Sequence, residues 1–334
     1  MTRRAASDLL LRTPLILMIG AGFASASPGQ DAVSPSLSSK VAQAVSSEAK
    51  AKSQAIVRIN GGGAFQTGGT GFRIDPNGTI CTLRDFVGDG GMVSVTDGGR
   101  TLPASLVAVD RSTGLAFLRT EGAAPCFIAP FPSITLAEGA PVLSLGPGDR
   151  PSHEARPSLG IAGVTLDHDE EHFFPVRLTK AILPSAKNGP GTPVMDLSGK
   201  FAGIVLREDP SSDTCMILPA SAVAKVHEDL LRFGKPNPGW IGIAVEEAAV
   251  PRGNSRTRVA AVERGSPADR AAVRPGDFLL SIGGRPVLQP QEVLDASFYL
   301  TAGDRVTVSL IHDGRSRSVS LRCSEPPAVL LGGN

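Results

Sequence analysis

The sequence predicts a mostly β protein assembled from short strands in successive units. Three observations carry that expectation. Gly 38 and Pro 27 are both abundant in the 334 residues while aromatics reach only 4%, a profile of many strands joined by turns and not of a helix bundle. Apolar runs of strand length recur along the chain with Gly/Pro punctuation between them. Asp75-Pro76-Asn77-Gly78 and Asp313-Gly314 are hairpin-turn signals, each flanked by such runs.

The N-terminus has the pattern of an export signal. Arg3, Arg4 and Arg12 precede an apolar run from Leu15 to Phe23, and Ala24-Ser25-Ala26 supplies a small-residue cleavage site, so residues 1–26 read as a signal peptide. That run is too short for an ordinary membrane-spanning helix, although an uncleaved anchor is the alternative. The residues after Arg3-Arg4 are not apolar, which argues against twin-arginine export, and no cysteine follows the cleavage site to be lipidated. A periplasmic or secreted protein follows, with no stable membrane span after cleavage. Residues 27–54 read as a Ser/Pro/Gly leader and an N-terminal helix from Leu37 to Lys52.

From Ala55 the apolar period becomes that of strands. A first β unit covers about 55–125, with strands at 55–59, 70–74, 79–83, 92–95, 105–109 and 115–118. Pro125, Pro130 and Pro132 mark a joint, and a second β unit of about 135–220 follows. Its strands are expected at 141–145, 159–164, 176–182, 201–206 and 215–218. Residues 220–233 then read as a helix with Val223, Val226, Leu230 and Phe233 on one face, stopped by Gly234. Pro236-Asn237-Pro238-Gly239 reads as a linker into a third unit, 236–325. There, strands are expected at 240–245, 259–262, 278–282, 306–310 and 319–321. A short helix opens at Ser266-Pro267, with Ser at N-cap and Pro at N1, and a second runs from Gln291 to Leu300. Residues 326–334 read as a disordered tail.

Composition and spacing exclude several functions. A net charge of +1 leaves no basic excess for a nucleic-acid partner. Cys81, Cys126, Cys215 and Cys323 are widely spaced without a C-x-x-C, which excludes a zinc knuckle or a redox motif. Four cysteines allow three pairings; Cys81 and Cys323 sit in alternating apolar runs, and mostly free, buried thiols are expected. The run from Asp167 to His172 has metal-ligand residue types but reads as a solvated hairpin tip. Gly61-Gly62-Gly63 and Gly68-Gly69 lack the Lys-Ser/Thr of a phosphate loop and read as turns. No metal and no cofactor is expected.

The third unit carries Arg264-Gly265-Ser266-Pro267-Ala268, then Val273-Arg274-Pro275-Gly276-Asp277 running through Ile282-Gly283-Gly284-Arg285-Pro286-Val287. This resembles the G-S-P-A…L-x-P-G-D-x-I-x-x-x-N-G-x-x-V pattern of bacterial PDZ domains. Upstream, Thr67 to Phe72, Asp75 to Gly78, Val107 to Leu118, Asp196 to Lys200 and Gly203-Ile204 resemble the trypsin-like double β-barrel of the HtrA/Deg serine proteases. The join from Met216 through Trp240-Ile241-Gly242-Ile243 is similar to that family's join between protease and PDZ domain. The resemblance covers about residues 50–323 and implies a mostly β chain, a trypsin-like double β-barrel followed by a PDZ domain.

At the family's three catalytic positions the residues differ. Thr82-Leu83-Arg84-Asp85-Phe86-Val87 stands for T-N-x-H-V-V, which puts Asp85 at the general base. Asp110 to Leu118 stands for D-x-x-x-D-L-A-V-L, which puts Gly114 at the orienting aspartate. Asn188-Gly189-Pro190-Gly191-Thr192-Pro193 stands for G-N-S-G-G-P, which puts Pro190 at the nucleophile. Proline has neither a hydroxyl nor an N–H, and in this fold the nucleophile's own N–H is an oxyanion donor. The expectation is a pseudoprotease. The competing reading is a serine endopeptidase with displaced groups, drawing on the hydroxyls of Ser185, Thr192 and Ser198 and on His153, His168 or His172. By resemblance, Trp240, Ile241 and Gly242 form a carboxylate-binding loop. Ile243 and Val245, with Ile241, face a peptide groove whose other wall is Leu294 and Phe298. Peptides or unfolded proteins are the expected partners, with a homo-trimer or hetero-assembly with active homologues as further readings.

Overall fold

The computed structural model describes residues 36–61, 68–88, 93–122, 124–148, 154–168, 173–184 and 189–327. The signal and leader to residue 35, His153, His172, Ser185 and the tail from residue 328 lie outside the described residues, as do the side chains of 167, 168 and 173.

The chain opens with helix α1 (Leu37–Lys52), capped by Ser36, whose Oγ accepts from Ser39 N at 3.3 Å. Only its last turns pack on the body: Ala49 is buried, whereas Leu37 is 80% exposed. Six strands then close a first barrel: β1 (Ile56–Asn60), β2 (Gly69–Arg73), β3 (Thr79–Leu83), β4 (Val93–Asp97), β5 (Arg100–Asp110) and β6 (Leu115–Arg119), in the order β1-β2-β3-β6-β5-β4. The predicted turn at Asp75 to Gly78 joins β2 and β3. Asp75 Oδ1 accepts from Asn77 N (2.9 Å) and Thr79 N (3.1 Å), and Gly78 takes the positive φ the turn requires.

A second barrel follows from β7 (Pro141–Gly146), β8 (Arg156–His168), β9 (Phe173–Ile182), β10 (Pro193–Met195), β11 (Phe201–Asp209) and β12 (Thr214–Pro219), in the order β10-β11-β12-β9-β8-β7. Closing each sheet on itself removes exposed edges, which suits strands this short. The long helix α2 (Ala220–Phe233) buries Val223, Val226 and Leu230 against the barrels and ends at Gly234, whose φ is +73°. Phe233, expected on the same buried face, is 40% exposed, because it lies in the last turn beyond the barrel surface. His227 of α2 contacts Asp75 at 3.1 Å and stacks on Phe117, tying the first barrel's hairpin to this helix.

The third unit holds β13 (Ile243–Arg252), β14 (Ser255–Val262), the one-turn helix α3 (Pro267–Arg270), β15 (Phe278–Ile282), β16 (Arg285–Pro286), α4 (Gln291–Phe298), β17 (Arg305–His312) and β18 (Arg315–Arg322). The sheet order is β13-β14-β15-β17-β18, so β13 is an edge strand. It starts three residues later than predicted, because Trp240 instead pairs with Ser324 at the end of the domain and Gly242 takes a φ of +83°. The predicted linker is clamped, not loose. Asn237 is buried, its N–H donates to Asp229 of α2 (2.9 Å), and its side chain donates to Ala302 O (3.2 Å). All four cysteines are free thiols; Cys81, Cys215 and Cys323 are buried and Cys126 is half-buried.

Candidate functional site

A cleft between the two barrels brings together two of the three positions singled out above, Asp85 and Gly114. Asp85 sits in a single 3-10 turn directly after β3, and Arg84 N donates to Gly114 O at 2.8 Å. That bond fixes the Asp85 turn against the β5–β6 turn. Gly114 has a φ of +75°, and a Cβ there would meet nothing within 4 Å, so its outer side opens onto a cleft. The cleft has a volume of about 310 Å³; Asp85 and Gly114 both line it, with Leu206 and Phe174 from the second barrel. The Asp85 carboxylate is more than half exposed and lies 3.9 Å from Arg84 Nε.

Pro190 reaches the same region through its neighbour. Gly191 N donates to Val205 O (2.8 Å), and its φ is +85°. A Cβ on Gly191 would lie 2.1 Å from Thr70 O and 3.2 Å from the Phe86 ring. The loop therefore threads between β2 and Phe86, the residue next to Asp85. Phe86 is buried, and a Cβ on Gly69 would lie within 2.4 Å of its ring carbons. Phe86 thus wedges against glycine on both sides; nothing in the periodicity of the sequence marks it for that role.

The spare hydroxyls are placed as follows. Thr192 is fully buried, and its Oγ1 has no hydrogen-bond partner among the described residues. Ser198 is in the β10–β11 turn, where its N–H and hydroxyl both donate to Asp196 Oδ1 (2.8 and 2.7 Å). Burial alone would push the Asp196 carboxyl up, but these bonds and those from the Lys200 side outweigh it and hold it below its ordinary value. Of the histidines whose side chains are described, His227 pairs with Asp75 under α2 and His312 with Asp277 in the third unit (2.6 Å). Neither lines the cleft. On β11, Glu208 lies against the loop: a Cβ on Gly189 would be 3.2 Å from its Oε1. Burial pushes its carboxyl up, and burial together with the Glu208 charge pushes the facing Cys215 thiol to about 12. No group of three or more metal-ligating side chains occurs among the described residues.

The predicted peptide-groove residues divide. Gly242 is held by Glu263 N donating to its carbonyl (2.9 Å), and a Cβ there would lie 2.1 Å from Ser266 Cβ. Ala268 N donates to Ile241 O (2.9 Å). The N–H groups of Ile241 and Gly242 have no acceptor among the described residues. Trp240, Ile243 and Val245 are half-buried, and Leu294 on α4 is 45% exposed. Two expectations are corrected. The Ile241 side chain is 3% exposed within the domain core, because the positive φ of Gly242 turns the loop over it. Phe298 packs against the barrel core and edge-on to Tyr299, because α4 docks on the second barrel. Asp295 Oδ1 accepts from Arg177 N of β9 (3.0 Å), and the Tyr299 hydroxyl lies 2.9 Å from Ser221 Oγ of α2.

Comparison with known proteins agrees with this geometry. Residues 69–204 match the trypsin-like peptidase domain and residues 258–310 the PDZ domain. A probable periplasmic serine endoprotease, DegP-like, from Ectopseudomonas mendocina is 26% identical over 275 residues, and its counterpart from Rhizobium meliloti is 27% identical over 281. Each alignment covers 78% of this chain, but only 57% and 54% of the relatives' lengths. Among solved structures, the serine endoprotease from Yersinia pestis superposes with a TM-score of 0.57 at 23% identity, covering 86% of this chain and 98% of that one. The HtrA-type protease AlgW with a tripeptide superposes at 0.60 with 19% identity, covering 88% and 99%. In domain order, fold and sequence the chain is similar to the HtrA/DegP-type serine endoproteases: a trypsin-like double barrel is followed by a PDZ domain.

Proposed function

We propose that this chain is an exported pseudoprotease that holds peptides and does not cut them. The reading is carried by the motif alignment that sets Asp85, Gly114 and Pro190 against the family's base, orienting acid and nucleophile, and it is supported by the cleft that Asp85 and Gly114 both line. A proline there supplies neither a nucleophile nor an oxyanion N–H, and Asp85 brings negative charge toward a developing oxyanion. Among the described residues the neighbouring hydroxyls do not compensate. Thr192 is sealed from solvent, and Ser198 is spent on its own turn. Export rests on the N-terminal signal pattern and on the periplasmic names of the relatives.

Binding is assigned to the PDZ groove between β13 and α4, with the free N–H groups of Ile241 and Gly242 receiving a terminal carboxylate and Ile243, Val245 and Leu294 contacting side chains. The peptides carried by the AlgW structures are consistent with such a groove. Two measurements test the proposal on the full chain. Unfolded casein incubated with it should yield no new fragments; turnover abolished by a serine-reactive phosphonate overturns the pseudoprotease reading. Titration with peptides ending in an apolar residue and a free carboxylate should saturate, and amidation of that carboxylate should abolish binding. Equal binding of the amidated peptides would sink the groove assignment.

A further inference from the structure

The third unit holds a second concavity, on the face of its sheet turned away from the domain core. Leu279 is fully buried in that core, so Phe278 beside it faces the other way. Phe278 is half-buried there, level with its cross-strand partners Arg258 of β14 and Ile311 of β17. Over this face β13 bows out. Its register passes from Glu247 opposite Thr257 to Arg252 opposite Ser255, so five steps along β13 answer two along β14. Ala248 to Pro251 are the surplus of that bulge and form an arm. The arm's end reaches the sheet again, since a Cβ on Gly253 would lie 3.3 Å from Ile311 Cδ1. Between arm and Phe278 lies a cavity of about 660 Å³, and Val250 in its wall is 74% exposed. Among the described residues, the polar side chains of the lining are two guanidiniums, Arg252 and Arg258. Arg258 is neutralised by Glu246, to which its Nε (2.9 Å) and Nη2 (2.6 Å) both donate. The other carboxylates nearby are taken. Glu247 faces Arg256 at 3.6 Å, and Asp277 accepts from Arg274 N (2.9 Å) and contacts His312 (2.6 Å). Arg252 is exposed and has no ion-pair partner among the described residues.

We infer that this cavity binds an amphipathic monocarboxylate, an alkyl chain ended by one carboxylate group. The lining itself selects that class. The Ala248, Val250, Pro251 and Phe278 side chains reward an apolar body, and Arg252 supplies a cation that pairs with a carboxylate in a forked geometry. No acid in the lining would receive a cationic ligand. With Arg258 already paired, the charge matches one anion and not two. A peptide strand is the poorer fit, because Pro251 has no N–H and the arm has left its own ladder, so this stretch offers no regular edge. The site is also separate from the PDZ groove. Ile243 and Val245, which wall the groove, pack toward the domain core, whereas Phe278 lies on the opposite face of the sheet. The inference goes beyond the groove proposed above and does not depend on it.

The test is calorimetric titration of the full chain with decanoate, kept below its micelle concentration. Binding should saturate and carry a negative heat-capacity change, the mark of apolar burial. Decanol, which lacks the charge, should bind more weakly, and decyltrimethylammonium, which reverses it, more weakly still. Arg252→Glu should weaken decanoate by about tenfold or more, and Arg252→Lys by less, since the charge stays while the fork is lost. Val250→Asp should weaken decanoate and decanol alike, because it puts a charge into the apolar wall. Four results overturn the inference. They are unaltered decanoate affinity in Arg252→Glu, decyltrimethylammonium binding as tightly as decanoate, acetate displacing decanoate at equal concentration, and displacement by an apolar peptide with a free C-terminal carboxylate. The last would put decanoate in the PDZ groove, and the groove proposal would stand while this one fell.

Discussion

Two glycines with the same backbone sign have different reasons to be there. Gly191 and Gly114 have φ of +85° and +75°, but only Gly191 is hemmed in, by Thr70 O at 2.1 Å from a would-be Cβ. Gly191→Ala should therefore destabilise by about 2–4 kcal/mol, from strain plus displacement of β2, whereas Gly114→Ala should cost only the left-handed term of about 1–2 kcal/mol. Urea midpoints at constant slope measure both, and equal losses would contradict the packing around Gly191. At the buried Asp75–His227 pair, burial pushes the Asp75 carboxyl up, but bonds from Thr79 and the His227 ring outweigh it and hold it below its ordinary value. A depressed carboxyl stabilises the fold above its unfolded value of about 3.9 and loses that contribution as pH falls below it. Asp75→Ala should cost about 3 kcal/mol at neutral pH and remove this part of the decline below about pH 4. A denaturation series across that window, showing the same acid decline in both proteins, would refute the assignment.

Among the elements, α4 has two employers. Its Leu294 belongs to the PDZ groove, while Asp295 accepts from Arg177 N of β9 and Phe298 packs on the barrel core. Arg285 reinforces the contact, lying 3.2 Å from the Tyr299 ring centroid and 3.5 Å from Asp295 Oδ2. Asp295→Ala removes an acceptor from a half-buried N–H and should cost about 1–2 kcal/mol. Its signature is local: amide exchange should accelerate in α4 and in β9 around Arg177, while β17 and β18 stay protected. Uniform protection in the variant would show that this docking contributes nothing.

For the molecule as a whole, the three positions aligned with the family's triad come from different barrels, and triad chemistry needs all of them. Asp85 and Gly114 follow strands of the first barrel, whereas Pro190 precedes the second barrel's shortest strand. Restoring one therefore does not restore chemistry. Pro190→Ser should give no casein turnover above the parent chain, because no imidazole stands at position 85 to activate the hydroxyl and Gly114 has no side chain to orient one. Fragments appearing with Pro190→Ser alone would show that a base lies elsewhere. The PDZ unit is likewise not a free appendage: Asn237 and Thr301 both bond Asp229 of α2, and Arg232 pairs with Asp304 (2.9 Å). Peptide affinities are therefore to be measured on the full chain.

Much of this was legible in one dimension because its causes are local. The Asp75–Gly78 turn, the Gly234 stop and the Ser266-Pro267 helix start depend on neighbours within a few residues, and each lies where the pattern put it; most strands do too, but the short β10 falls outside the expected strands and β13 starts late. The identities of Asp85, Gly114 and Pro190 are also read from sequence, and the proposed loss of catalytic groups rests on them. What needed three dimensions was every relation between distant segments. Phe86 wedged against Gly69 and Gly191, α4 turned toward β9, Ile241 in a core instead of a groove, and the β13 arm bowed out beside Phe278 are products of packing. No periodicity encodes them, because side chains from separate strands meet only after both barrels have closed.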